Sequence, residues 1–131
     1  MIGILIISHC DVGRELLKAA ELILGKLEAA DAIAITQTTE TQKALNLISE
    51  KIKKLDRGHG VLILTDMFGG TPTNLSLSFF KENKVDILTG INLPMLIDIA
   101  QNRTNLSLSD LGEKAVATGK KNIAVAGKLL E

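Results

Sequence analysis

The chain has no tryptophan, no tyrosine and only three phenylalanines, Phe68, Phe79 and Phe80. That scarcity argues against flavin sandwiches, base-stacking platforms and binding faces anchored by aromatic residues. There is no surplus charge of either sign, because 15 lysines and arginines balance 15 aspartates and glutamates. A domain that coats nucleic acid or an anionic membrane usually carries a basic excess, so neither partner is expected. One cysteine, Cys10, leaves no intrachain disulfide and no sign of an oxidising compartment. Apolar runs stay far below the ~20 residues that span a bilayer, and the N-terminal run meets polar Ser8-His9 at once. A cytoplasmic protein without membrane insertion is therefore expected. At 131 residues, with 46% hydrophobic and 23% charged residues, one globular domain over 1–131 is the natural reading.

Short apolar runs alternate with amphipathic stretches. Ile2–Ile7 and Gly60–Thr65 are apolar throughout, as strands buried on both faces must be. Asp31–Thr36 and Lys84–Thr89 are two further strands. Between them the spacing predicts a helix over Gly13–Glu28, and a second through Leu45, Ile48, Ile52 and Leu55 that stops at Arg57–Gly60. A third helix is expected from an N-cap at Thr71, with Pro72 in its first turn, to about Asn83. Pro94–Gln101 reads as a fourth helix, and Ser109 as the cap of a fifth that reaches Gly119. The tail Asn122–Gly127 is strand-like, with helix as its alternative. Strands alternating with helices imply an α/β fold, a three-layer sandwich on a mainly parallel sheet of order 2-1-3-4.

In such sheets ligands sit beyond the carboxyl ends of the strands, where the chain order reverses. The loops after strands 1 and 3 meet there: Ser8-His9-Cys10-Asp11 and Asp66-Met67-Phe68-Gly69-Gly70-Thr71. Adjacent strands lie ~5 Å apart, so His9 and Asp66 can stand side by side. A carboxylate on one imidazole nitrogen fixes the tautomer and leaves the other nitrogen as a nucleophile. Gly69 and Gly70 allow close backbone approach, the helix start offers N–H groups, and Thr71 adds a hydroxyl. Together these suggest a phosphoryl group carried on histidine, with His9 and Asp66 catalytic and Gly69, Gly70 and Thr71 holding phosphate.

Plainer readings compete for the same residues. His9 also reads as a polar strand end, Asp66 as a turn residue and the Gly-Gly-Thr-Pro run as a loop and a cap. Asp11 reads as the cap of helix 1, and Cys10 as a small neighbour of the site. His59 suits a solvated turn and Lys51–Lys54 a wet helix face; Phe68 is expected to pack beneath its loop, with shielding of a phosphohistidine from water as its alternative. The chain lacks an NTP-binding loop, a dinucleotide fingerprint and a hydrolase elbow, and two histidines are few for a metal site. No cofactor or metal is expected. A receiver domain phosphorylated on Asp66 would need an acidic pair after strand 1, where His9 stands.

These residues resemble the IIA domain of mannose-type sugar phosphotransferase systems. The resemblance runs through IGILIISH, GVLILTDMFGGTPTN (Gly60–Asn74) and TGINLPML (Thr89–Leu96), and it covers almost the whole chain. It implies that His9 accepts phosphate from the histidine-containing phosphocarrier protein, through Nε2, and passes it to a IIB component. It also implies Asp66 as the partner of the histidine, Thr71 as the hydroxyl after Gly-Gly, and a homodimer in which the C-terminal strand crosses to the other subunit. Cys10 stands where a glycine is common and Thr73 where an aromatic is often found; both are expected to border the partner surface. A regulatory module of the same fold and the phosphocarrier subunit of dihydroxyacetone kinase are the alternatives.

Overall fold

Continuous apolar sequence at Gly3–His9 and Val61–Thr65 yields two central strands, and the computed structural model describes all 131 residues around them. In chain order the elements are β1 (Gly3–His9), α1 (Val12–Leu24), β2 (Ala30–Ile35), α2 (Thr41–Leu55), β3 (Val61–Thr65), α3 (Gly70–Leu77) and β4 (Val85–Leu88). They are followed by α4 (Leu93–Asn102), α5 (Leu108–Lys121) and α6 (Ala126–Leu129). The four strands form one parallel sheet of order β2-β1-β3-β4. Because the chain leaves β2, passes over β1 and enters β3, the order reverses between β1 and β3, as the spacing of the two polar loops implied.

Alternation along each strand sends neighbouring side chains to opposite faces. Ile4, Ile6, Leu62 and Leu64 pack with Leu17 and Ala20 of α1, Met95 and Ile99 of α4, and Leu111 and Ala115 of α5. Leu5, Ile7, Val61 and Ile63 pack on the other face with Ala44, Ile48 and Leu55 of α2, and Leu75 of α3 joins them. The result is the expected three layers. Both strands must be apolar throughout because helices cover both faces.

Several boundaries fall elsewhere than the periodicity placed them. α1 ends at Leu24, because Gly25 takes φ +86 and the Glu21 carboxylate accepts from the Leu27 N–H at 2.9 Å, closing the turn. α3 begins with Gly69 rather than Thr71 at its cap and stops at Leu77, not near Asn83. The Ser76 and Ser78 hydroxyls donate to the Pro72 and Leu75 carbonyls at 2.6 and 2.9 Å, and tight turns follow at Phe79 and Phe80. Ser107, not Ser109, caps α5, its hydroxyl accepting from the Asp110 N–H at 3.2 Å. The tail forms no strand within the single chain: residues 123–125 are irregular, Ala126–Leu129 is a helical turn, and residues 120–131 are exposed. A strand requires a partner ladder, and none reaches this segment within one chain.

Candidate functional site

Polar residues at the ends of β1 and β3 build the site. Ser8 is fully buried at the last inward position of β1. Its hydroxyl accepts the Gly13 N–H at 2.8 Å and donates to the Cys10 carbonyl at 3.0 Å. It thereby takes the capping role expected of Asp11, which occupies the N-cap position without a side-chain bond. The turn is tight enough to put Cys10 at φ +50, and the Cys10 N–H is held by the Ile35 carbonyl at 2.8 Å. His9 is thus projected beyond the sheet from a fixed backbone, with its side chain 46% exposed.

Asp66 follows β3 directly, and one of its oxygens holds His9 twice. Oδ2 accepts the His9 backbone N–H at 2.9 Å and lies 2.8 Å from the ring Nδ1. With Asp66 ionised, Nδ1 must donate, so in the neutral form of the ring the proton sits on Nδ1 and the lone pair on Nε2. Burial works to raise the Asp66 pKa, but the two hydrogen bonds and the charge of His9 outweigh it, and the carboxyl lies below the ordinary range. The other oxygen, Oδ1, is buried without a hydrogen-bond partner. Such an orphan is costly, and the Oδ2 contacts hold it in place.

The loop from Met67 to Thr71 brings backbone to the free edge of the imidazole. A Cβ on Gly70 would stand 3.1 Å from His9 Cε1 and 3.4 Å from Nε2, and Gly70 has φ +76. Both features demand glycine there. Gly69 needs it for conformation alone: φ is +80, but no atom lies within 4 Å of a Cβ there. Thr71 is exposed in the first turn of α3, and its hydroxyl makes no hydrogen bond within the chain. His9, Asp66 and Gly70 therefore converge, while Gly69 and Thr71 flank them.

Two buried hydroxyls beneath the loop escaped the sequence argument. Thr73, expected at the surface, is 1% exposed, because its Oγ1 donates to the Met67 carbonyl at 2.6 Å and pairs with Thr65 Oγ1 at 2.8 Å. A threonine ending an otherwise apolar strand, Thr65, was the available signal. Phe68, expected to pack beneath the loop, instead stands 81% exposed beside Asp66, with Met67 and Val12 also exposed. Lys51 departs from the wet face assigned to it, since its ammonium pairs with Asp31 at the start of β2. His59 lies at the opposite edge of the sheet, 3.2 Å from the amino group of Met1. No three histidine, cysteine or acidic side chains gather where they could hold a metal ion, and no helix is long and apolar enough to cross a membrane.

The profile of the EIIA-man family, described as "PTS system fructose IIA component", matches residues 3–116. The fructose-specific EIIA component of Bacillus subtilis is 30% identical over all of this chain and 90% of its own length. The mannose-specific EIIAB component of Escherichia coli is 30% identical over 93% of this chain, which spans 38% of that longer protein. Among solved structures, a phosphotransferase system component EIIA from Streptococcus agalactiae superposes with a TM-score of 0.88 at 26% identity, covering 98% of this chain and 99% of that one.

Proposed function

The chain belongs to the EIIA-man family of sugar phosphotransferase components, and from that premise we propose that it is a phosphoryl carrier whose acceptor atom is His9 Nε2. The observation that carries the reading is the double hold of Asp66 Oδ2 on His9, which leaves Nε2 as the free nitrogen beside the Gly70 backbone. The donor is a phosphohistidine on the histidine-containing phosphocarrier protein. The Nε2 lone pair attacks phosphorus as the donor's N–P bond breaks, and the donor imidazole leaves with that electron pair. The proton on His9 Nδ1 stays in place, so phospho-His9 is cationic at the ring, and the Asp66 carboxylate stabilises that charge. In the second half the same bond breaks towards a nitrogen of a IIB component. Both transfers exchange one N–P bond for another, so alignment and fixed charge supply most of what is needed.

Gly70 and Thr71 complete the site. The backbone at Gly70 and the N-terminal amides of α3 receive the phosphoryl oxygens, with the free Thr71 hydroxyl as a further donor and Gly69 supplying the turn. Phe68, Met67 and Val12 form an apolar rim that suits a transient protein partner and keeps water from the phosphohistidine. The carrier acts in the cytoplasm, as one domain over 1–131. It pairs with a second copy: the free edge of β4 borders a cleft of about 360 Å³ lined by Asp86, Leu88 and Val116, and the tail offers unburied Ile123, Val125 and Leu129. Sedimentation equilibrium with and without residues 122–131 tests that pairing; a dimer that survives the deletion would exclude the tail.

Incubation with phosphoenolpyruvate, enzyme I and the phosphocarrier should add one acid-labile phosphoryl group. His9→Gln should take up none, and Asp66→Asn should take it up far more slowly while remaining folded. Label retained by His9→Gln would overturn the assignment.

A further inference from the structure

Arg103 is 5% exposed and has no carboxylate partner. Its guanidinium donates to the carbonyls of Glu28 at 2.6 Å and of Ile2 and Ala29 at 3.3 Å each. The carboxylate of Glu28 is engaged elsewhere, 3.6 Å from Arg57. Burial lowers the Arg103 pKa, Glu28 opposes this from a distance and Arg57 adds to it. The hydrogen bonds of this cation are largely met, but its charge is not. An uncompensated buried charge is expensive.

Arg103 forms one wall of a cleft of about 390 Å³ at the N-terminal edge of the sheet. The cleft has no aspartate or glutamate in its lining. His59 stands at one side. Ser107 brings the positive end of the 14-residue α5 to another. Ile2, Leu106 and Leu108 supply apolar wall. Arg103 Nε makes no hydrogen bond within the chain and is not among its fully buried unpartnered atoms, so it keeps contact with solvent. The cleft is therefore cationic, acid-free and half apolar. It lies the length of β1, roughly 20 Å, from His9.

We propose that this cleft binds a small organic oxyanion, its carboxylate or phosphate head against Arg103 and its short apolar body along Ile2, Leu106 and Leu108. The site is separate from the phosphoryl-transfer site, and its occupancy does not depend on the role of His9. Arg103 also ties the end of α4 to the segments that precede β1 and β2, so a bound anion stabilises the fold by neutralising the clamp.

Amide NMR titrations with butyl phosphate, butyrate and inorganic phosphate test the inference. Saturable shifts are expected at His59, Thr104, Ser107 and Leu108, with His9 and Gly70 unmoved by butyl phosphate. Butyl phosphate should bind about tenfold or more tighter than inorganic phosphate, because its methylenes leave water. Tighter binding of butyrate than of butyl phosphate would assign the head group as carboxylate, and the reverse as phosphate; either supports the site. Thr104 lines the cleft from an exposed position, so Thr104→Glu adds a competing carboxylate without touching the core. It should weaken binding about tenfold or more and leave labelling of His9 unchanged. Shifts confined to the His9 loops, no saturable shift at tens of millimolar, or indifference to Thr104→Glu would each overturn the proposal.

Discussion

The two edges of one sheet are built to opposite standards. At the N-terminal edge the backbone is locked. A Cβ on Gly3 would meet the Leu55 carbonyl oxygen at 2.5 Å, one on Gly60 would meet that of Lys84 at 2.7 Å, and Arg103 gathers three carbonyls. Positive φ occurs at both edges, but at the C-terminal edge Asp66 Oδ1 lacks a partner and the His9 imidazole is half exposed. Parallel strands make this division possible, because every strand delivers its last residue to one edge and its first to the other. Rigidity at one edge supports incomplete satisfaction at the other, where a nucleophile has to meet successive partners.

The comparison is broken most severely at Gly70. Alanine there would face both a positive φ and a Cβ 3.1 Å from His9 Cε1, so the ring must move away from Asp66 or the loop must shift. Displacements near 1 Å cost on the order of a hundredfold in rate, whereas strain at one such residue costs about 1–2 kcal/mol. Gly70→Ala should therefore slow phosphoryl uptake about a hundredfold while the protein stays folded, as rapid-quench labelling and urea unfolding would read. Gly69→Ala, which shares the conformation but not the close approach, should transfer faster than Gly70→Ala. Equal rates would show that loop conformation alone matters.

Arg103→Met reverses the pattern. The hydrocarbon stem is kept, but the carbonyls of Ile2, Glu28 and Ala29 lose their donor. Relief of an uncompensated charge offsets part of that loss. The expected outcome is a destabilisation of about 2–3 kcal/mol, with transfer by the folded protein unchanged. Urea denaturation and labelling at matched folded concentration would check both halves. A loss of activity larger than the loss of folded protein would mean that the two edges are coupled.

How far each edge was legible in the sequence follows from the range of the interactions involved. His9, Asp66 and the two glycines stood out because short polar runs interrupt apolar strands, and the sheet order places them together. The covering helices were legible for the same reason, since a stripe of leucines and isoleucines states its own period. Helix ends were not, because they depend on single side-chain bonds such as Ser107 to Asp110 and Ser76 to Pro72. Thr73 and Arg103 were missed for a deeper reason. Each is a polar residue buried by the partners it finds only in the fold: for Thr73 these are Thr65 and Met67 across its own loop, and for Arg103 they lie 74 to 101 positions away. The exposure of Phe68 escaped notice because a loop's apolar residue carries no periodicity to show which way it faces.

Acid titration offers the finest test of the comparison, since one lowered carboxyl lies at each edge. Asp66 is held by His9, and Asp31, near the start of β2, by Lys51 and the Ala32 N–H; in both, burial opposes the shift and is outweighed. A carboxyl whose folded pKa is lowered releases its proton more readily in the native state. Its stabilisation is complete above the ordinary carboxylate range near ~4 and fades as pH falls from there through the folded pKa. Stability should thus decline on acidification, with a slope of up to about 1.4 kcal/mol per pH unit for each carboxyl. Asp66→Asn and Asp31→Asn should each remove one share of that slope, as urea unfolding from about pH 6 downwards would measure. The share of Asp31 should shrink with added salt, which screens its ion pair with Lys51. That of Asp66 should shrink further in His9→Gln, where the ring charge and the Nδ1 donor are gone. If His9→Gln leaves the acid slope untouched, the backbone N–H of His9 alone holds Asp66 ionised.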